Sequence, residues 1–203
     1  SDVCSSDLGV FFLGNLQSPD MPYIRYDNQA HLAVSKSFLD SGMWSSLHPN
    51  RYLNLPEASK AIYSGAISFY PALLDVLAAL CATITGLRIT VAFNAVLFTL
   101  HAVVFPVGMF GMVRALFPSN RGIVAIGALV AVSFAGFPWG IFTRALFPNA
   151  AGCCFMAPAI GATLLAFEWR GLKGGIPPCV AIWVCGLPTI ALAQPNSVFA
   201  AFL

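Results

Sequence analysis

The stretch Ile89-Thr-Val-Ala-Phe-Asn-Ala-Val-Leu-Phe-Thr-Leu-His-Ala-Val-Val-Phe-Pro-Val-Gly-Met-Phe-Gly-Met-Val113 runs for 25 residues without a charged side chain. As a helix rising about 1.5 Å per residue, it outreaches a bilayer's hydrocarbon core of about 30 Å. Three more uncharged runs follow: Gly122–Thr143, Ala145–Phe167 and Gly174–Leu203. Pro106, Gly127, Pro158 and Pro188 lie inside these runs, and membrane helices tolerate such residues because neighbours re-satisfy the freed backbone groups. The four runs predict an all-α, polytopic transmembrane protein.

Composition agrees. Of 203 residues, 58% are hydrophobic and 9% charged, with a mean hydropathy of +0.79. Soluble domains carry about 25% charged residues, so this chain cannot cover a water-facing surface. The absence of a basic block argues against a nucleic-acid partner. Cys81, Cys153, Cys154, Cys179 and Cys185 stand in apolar surroundings without Cys-x-x-Cys spacing, so they read as small hydrophobes rather than a zinc or redox site.

Basic residues set the sidedness. Arg114 and Arg121 flank one short connection, and Glu168-Trp-Arg-Gly-Leu-Lys173 forms another. The positive-inside rule makes both cytoplasmic. The expected membrane helices are 89–114, 122–137, 150–167 and 176–193, with the start of another after them. They form two hairpins that turn inside. Residues 137–149, the turn Gln194-Pro-Asn196 and everything from 17 to 88 then lie outside.

The two ends read as cut. Ser1–Leu8 resembles a translated sequencing adapter and is set aside, which takes net charge from +2 to +4 by removing Asp2 and Asp7. Residues 9–16 read as the last turns of a truncated first membrane helix. The chain stops within the apolar Ala200-Ala-Phe-Leu203.

The outer region, 17–88, predicts two helices. Over 27–42, Ala30, Val34 and Phe38 repeat at i, i+4 and i+8 as one apolar stripe. Asp27 is placed as the N-cap and Gly42 as the C′ residue. Residues 69–86 form an apolar stretch of crossing length that contains Asp75. An Asp at the centre of a membrane helix costs about 2.5–3.5 kcal/mol, and a crossing there inverts the sidedness of 17–68. The expectation is therefore a juxtamembrane or re-entrant helix on the outer face.

Several outer residues offer chemistry. Asp27 and His31 are one helical turn apart and face the same way. They read either as a general base with its orienting partner or as a cap with an i, i+4 pair. Asp75 is an ionisable group in an apolar segment, a functional candidate on that ground. Arg88 and Arg144 are outer cations suited to a phosphate or to interfacial anchoring. Asn149, Gln194 and Asn196 bring amides to the same face, for sugar hydroxyls or for helix capping. His101 is mid-span and is expected to be neutral, bonded to a neighbouring helix. No Gly-rich phosphate loop, Ser nucleophile motif or metal-spaced cluster is present.

The blocks Tyr26-Asp27-x-x-x-His31, Phe38-Leu-Asp-Ser-Gly-Met-Trp-Ser-Ser46, Phe69-Tyr-Pro71, Arg144-Ala-Leu-Phe-Pro-Asn149 and Gln194-Pro-Asn196 occur in that order. Together they resemble a family of uncharacterised bacterial multi-pass membrane proteins, which is in turn similar to the membrane glycosyltransferases of the GT-C fold. The resemblance covers 17–203. It implies a bacterial inner-membrane enzyme that moves a sugar from a polyprenyl-phosphate donor to an extracytoplasmic acceptor. Asp27 matches the essential acid of the first outer loop, which activates the acceptor or helps hold a divalent metal, with His31 orienting it. Arg88 or Arg144 would take the lipid phosphate, with Asp75, Tyr70, Asn149, Gln194 and Asn196 also at the substrate. The chain departs from the family pattern at Asp75 and Gln194, where the family carries His, so acid–base duty at Gln194 is in doubt. The opposing class is a transporter or a cell-envelope assembly component, which does no chemistry; a transporter would carry inverted repeats and broken mid-membrane helices.

Overall fold

The computed structural model describes residues 9–10, 12–16, 18–21, 26–48, 69–131, 146–195 and 197–198, and within these the side chains of Tyr26, Asp27, Ala128, Ala131 and Leu172 are not described. All regular elements among the described residues are helical. They are α1 (Tyr26–Ser41), α2 (Leu73–Thr85), α3 (Ile89–Thr99), a π segment (Leu100–Val104), α4 (Phe105–Leu116) and α5 (Arg121–Ala131). Two more follow, α6 (Phe147–Gly171) and α7 (Lys173–Ala193). Among the described residues three spans are long and apolar enough to cross a membrane: Ile89–Leu116, Phe147–Gly171 and Lys173–Ala193. The fourth expected crossing, 122–137, is described only through α5, and its remainder lies outside the described residues, as does 1–8.

The chain divides into two compact units, Asn15–Leu97 and Ser1–Gly14 with Phe98–Leu203. In the first, α1 packs on α2. The predicted stripe is the buried face: Ala30, Val34 and Phe38 are all inside, Phe38 completely. Val34 and Phe38 meet Ala72, Val76 and Ala79. Small residues at Ala72, Ala78, Ala79 and Ala82 let the two helices approach closely. Gly42 ends α1 in the left-handed region at φ 66°, where a side chain is strained, and its N–H donates to the Phe38 carbonyl at 2.9 Å. The Trp44 indole N–H donates to the same carbonyl, also at 2.9 Å, so the last turn is closed twice.

One expectation needs correction here. The described helix already includes Tyr26, so Asp27 lies within its first described turn rather than ahead of it as a cap. Asp75 is the third residue of α2, where unpaired amides favour a carboxylate. The 13 residues of α2 rise about 20 Å, short of a hydrocarbon core of about 30 Å.

The second unit is built on close backbone approach. A Cβ added to Gly108 would stand 2.5 Å from Pro158 Cδ, and one on Gly161 would stand 2.9 Å from the Met112 N. Membrane helices pack this way because the gain is contact rather than expulsion of water. Gly108 faces Pro158 and, four residues on, Met112 faces Gly161, so α4 and α6 run parallel. Gly127 sits against Val113, which makes α4 and α5 an antiparallel hairpin. Gly175 sits against Phe167 and Gly186 beside Ala159, so α6 and α7 form a second hairpin.

The turn of that second hairpin is tighter than expected. The predicted loop over 168–173 contracts to Gly171 alone, at φ 68°, ψ 176°, a backbone shape open to glycine and to few other residues. Arg114, Arg121, Arg170 and Lys173, all exposed, therefore gather at one end of this unit. The π segment also has a cause in the sequence. In a regular helix the Pro106 ring collides with the carbonyl four residues back. The widened turn, with Phe105 N–H donating to Leu100 O, relieves it. Gly9 and Phe12 pack on this unit's Phe98–Ala102 stretch: a Cβ on Gly9 would stand 3.3 Å from Phe98 Cε2, and Phe12 is buried and meets the Phe98 ring edge-on at 6.0 Å.

Candidate functional site

The interior of the Asn15–Leu97 unit holds a line of polar groups. On α1, Asn28, His31 and Ser35 follow at i, i+3 and i+7, beside the apolar stripe, and all three are buried. Asp75 enters from the first turn of α2. His31 Nδ1 lies 3.1 Å from Asp75 Oδ1 and 3.2 Å from Oδ2, and Ser35 Oγ donates to Oδ1 at 3.1 Å. On the other side of the imidazole, Tyr70 Oη stands 3.2 Å from His31 Nε2. His31 is 2% exposed and Asp75 is fully buried, whereas Tyr70 is half-buried.

The chemistry of these contacts assigns the protons. A carboxylate only accepts, so His31 Nδ1 carries the hydrogen toward Asp75. In the neutral ring Nε2 is then the basic nitrogen, and the Tyr70 phenol donates to it. A carboxylate that holds one imidazole nitrogen fixes the tautomer and orientation of the ring and stabilises the imidazolium that forms when the other nitrogen takes a proton. Ser35 steadies the carboxylate from the same helix as His31.

This differs from the arrangement expected of the sequence. The carboxylate bonded to His31 here is Asp75, 44 residues away in sequence and on another helix. The side chain of Asp27 lies outside the described residues. Ser35 escaped the sequence reading; its signal is the i, i+4 step from His31, which places one hydroxyl a turn beyond the imidazole on the same face.

The other candidates distribute as follows. Arg88 is exposed and donates to Asp20 Oδ2 at 3.2 Å, an open ion pair of small energetic weight. The Asp20 carboxyl is held below its ordinary range, first by the Ser18 hydroxyl and also by Arg88. Asn94 Nδ2 bonds the carbonyls of Pro19 and Met21 at 3.0 Å each and so pins the segment that carries Asp20. In the second unit, Asn149 is half-buried in the first turn of α6, and Gln194 follows α7 directly. Gln194 abuts Gly152, so these two amides do share one end of the α6–α7 hairpin. Arg144 and Asn196 lie outside the described residues. His101, in the π segment, is buried and faces the Phe147 ring edge-on at 6.1 Å. Among the described residues no group of three His, Cys, Asp or Glu side chains is placed to hold a metal ion.

The helices and this buried His–Asp pair define a helical protein of the membrane class, with an ionisable site in one unit. The chain belongs to a family of unknown function, DUF6541, whose model matches residues 8–203. No curated protein and no solved structure matches it.

Proposed function

We propose that the protein is a GT-C-like membrane glycosyltransferase of the bacterial inner membrane, moving a sugar from a polyprenyl-phosphate donor to an acceptor hydroxyl outside the cytoplasm. The observation that carries this reading is the alignment of Asp75, His31 and Tyr70. Forming the new glycosidic bond releases the acceptor's hydroxyl proton, while the lipid phosphate leaves with the electrons of the broken bond. The first event calls for a base within hydrogen-bond reach of the hydroxyl. His31 Nε2 is that base, and Asp75 is its orienting partner. Asp27 stands one turn before His31 and supplies a second carboxylate, for the acceptor or for a divalent metal. Arg88, exposed on the same unit, is the cation for the donor phosphate.

The sidedness of this reading rests on the clustering of Arg114, Arg121, Arg170 and Lys173 at one end of the second unit. By the positive-inside rule that end is cytoplasmic. The test uses membranes that contain the full gene product and a radiolabelled polyprenyl-phosphate sugar. Wild type transfers or releases the sugar, and His31→Gln does so about 100-fold more slowly or worse, the usual weight of a general base. Equal rates for the two proteins would remove His31 from the chemistry.

A second reading has one observation in its favour: a buried ionisable pair in a membrane protein also suits proton-coupled transport. It requires solute uptake into proteoliposomes that follows a proton gradient and stops in Asp75→Asn, with no sugar released from any lipid donor.

A further inference from the structure

We propose that the Tyr70 hydroxyl occupies the position on His31 Nε2 where a ligand's hydrogen-bond donor binds, so that Tyr70 is the gate of this site and the ligand it admits presents an O–H or N–H group. The proposal rests on reading His31 Nε2 as the basic nitrogen. A neutral imidazole nitrogen accepts one hydrogen bond, and the phenol at 3.2 Å supplies it. A second hydroxyl reaches Nε2 when the first has left.

Three observations make Tyr70 the movable member. It is half-buried, whereas His31 and Asp75 are 2% and 0% exposed, so it is the outermost group of the line. It sits in the non-helical stretch 69–72. There its N–H donates to the Ser46 carbonyl at 2.9 Å, and the Ala72 N–H reaches Ser46 Oγ at 3.4 Å. The backbone is thus tethered beside the side chain, and the ring can leave by rotating about χ1 while α1 and α2 stay in place. The two rings are tilted by 52° with centroids 5.5 Å apart, so they do not stack face to face, and the hydroxyl is the polar link between them.

The same geometry selects the ligand. A group that displaces the phenol must return a hydrogen bond to Nε2, because a buried acceptor left without one carries the full desolvation cost. An O–H or an N–H does so; an apolar group or a carboxylate does not. The incoming donor then stands on the nitrogen that Asp75 supports from behind; on the proposed function it is the acceptor hydroxyl.

The experiment reads the imidazole and needs neither donor nor acceptor. Diethyl pyrocarbonate acylates unprotonated imidazole nitrogen, and the chain has three histidines, His31, His48 and His101. His48 is exposed and serves as the fast reference; His101 is buried and reports any general loosening. Modification is followed by peptide mass spectrometry on the full gene product in membranes. Tyr70→Phe keeps the ring and removes the O–H. It is expected to speed modification of His31 about fivefold relative to His48, the factor of one ordinary hydrogen bond, with His101 unchanged. Tyr70→Ala is expected to speed it further. No increase in either variant overturns the proposal, and so does an increase in Tyr70→Phe that His101 shares. If sugar transfer is absent with every donor while His31 still responds selectively, the transferase reading fails and the gate stands.

Discussion

His31 and Asp75 meet across 44 residues of chain, Nδ1 to Oδ1 at 3.1 Å, inside the packed face of two helices. Neither residue makes this contact by local geometry. It exists because Val34 and Phe38 seat α1 on Ala72, just ahead of α2, and on Val76 and Ala79 within it, and that seating brings the first turn of α2 opposite the middle of α1. The functional pair and the core of the unit are therefore one construction.

Removing the carboxylate should be felt by the fold. Asp75→Ala strips His31 and Ser35 of their shared acceptor. Two buried donors then lose their partner, at about 1–3 kcal/mol each. Thermal unfolding of the detergent-solubilised protein should show a lower midpoint. With His31→Ala added, the two losses should fall short of their sum, as in any directly bonded pair. Strict additivity would mean that the pair contributes nothing as a pair.

Three glycines separate packing from mere membrane residence. Gly108→Ala and Gly161→Ala force a Cβ against Pro158 and the Met112 backbone, whereas a Cβ on Gly111 meets nothing within 4 Å. The first two should each destabilise by about 1–3 kcal/mol, the usual cost of overpacking. Gly111→Ala should be nearly silent. Thermal stability of the three variants in one detergent checks the contrast, and equal effects at all three would contradict the parallel α4–α6 contact.

The Asp20 carboxyl titrates below its ordinary value of 3.8, chiefly through the Ser18 hydroxyl. Its folded value lies below the unfolded one. The stabilisation is therefore present above the unfolded value and fades as pH falls through the folded one. Ser18→Ala should move the Asp20 titration upward, and so should Arg88→Gln. Carboxyl-carbon NMR of labelled Asp reads both shifts. No upward shift in Ser18→Ala would contradict the hydroxyl as a cause.

Much of the architecture was legible in the chain. Long uncharged runs announce membrane-length helices because hydrocarbon forbids anything else. The Ala30–Val34–Phe38 stripe and Gly42 marked α1 almost to its ends, since helical period and a left-handed cap are local properties. The pairing of His31 with Asp75 was not legible. Asp27, one turn away, satisfies the same spacing rule, and spacing carries no information about which distant helix packs on which face. Gly171 was missed for a related reason: a loop of charged residues reads as a long connection, while the actual turn is set by how closely Gly175 lies on Phe167.

The most direct test of the central claim compares two carboxylates. Full gene product in membranes is given a radiolabelled polyprenyl-phosphate sugar, with wild type, Asp75→Asn and Asp27→Asn side by side. The Asp75→Asn amide no longer offers His31 a charged acceptor. The account predicts that this variant keeps its expression level and loses transfer by about 10²–10⁴-fold, as the loss of an orienting carboxylate does in a His–Asp pair. Transfer by Asp75→Asn at the wild-type rate, with Asp27→Asn inactive, would contradict it and return the base to Asp27.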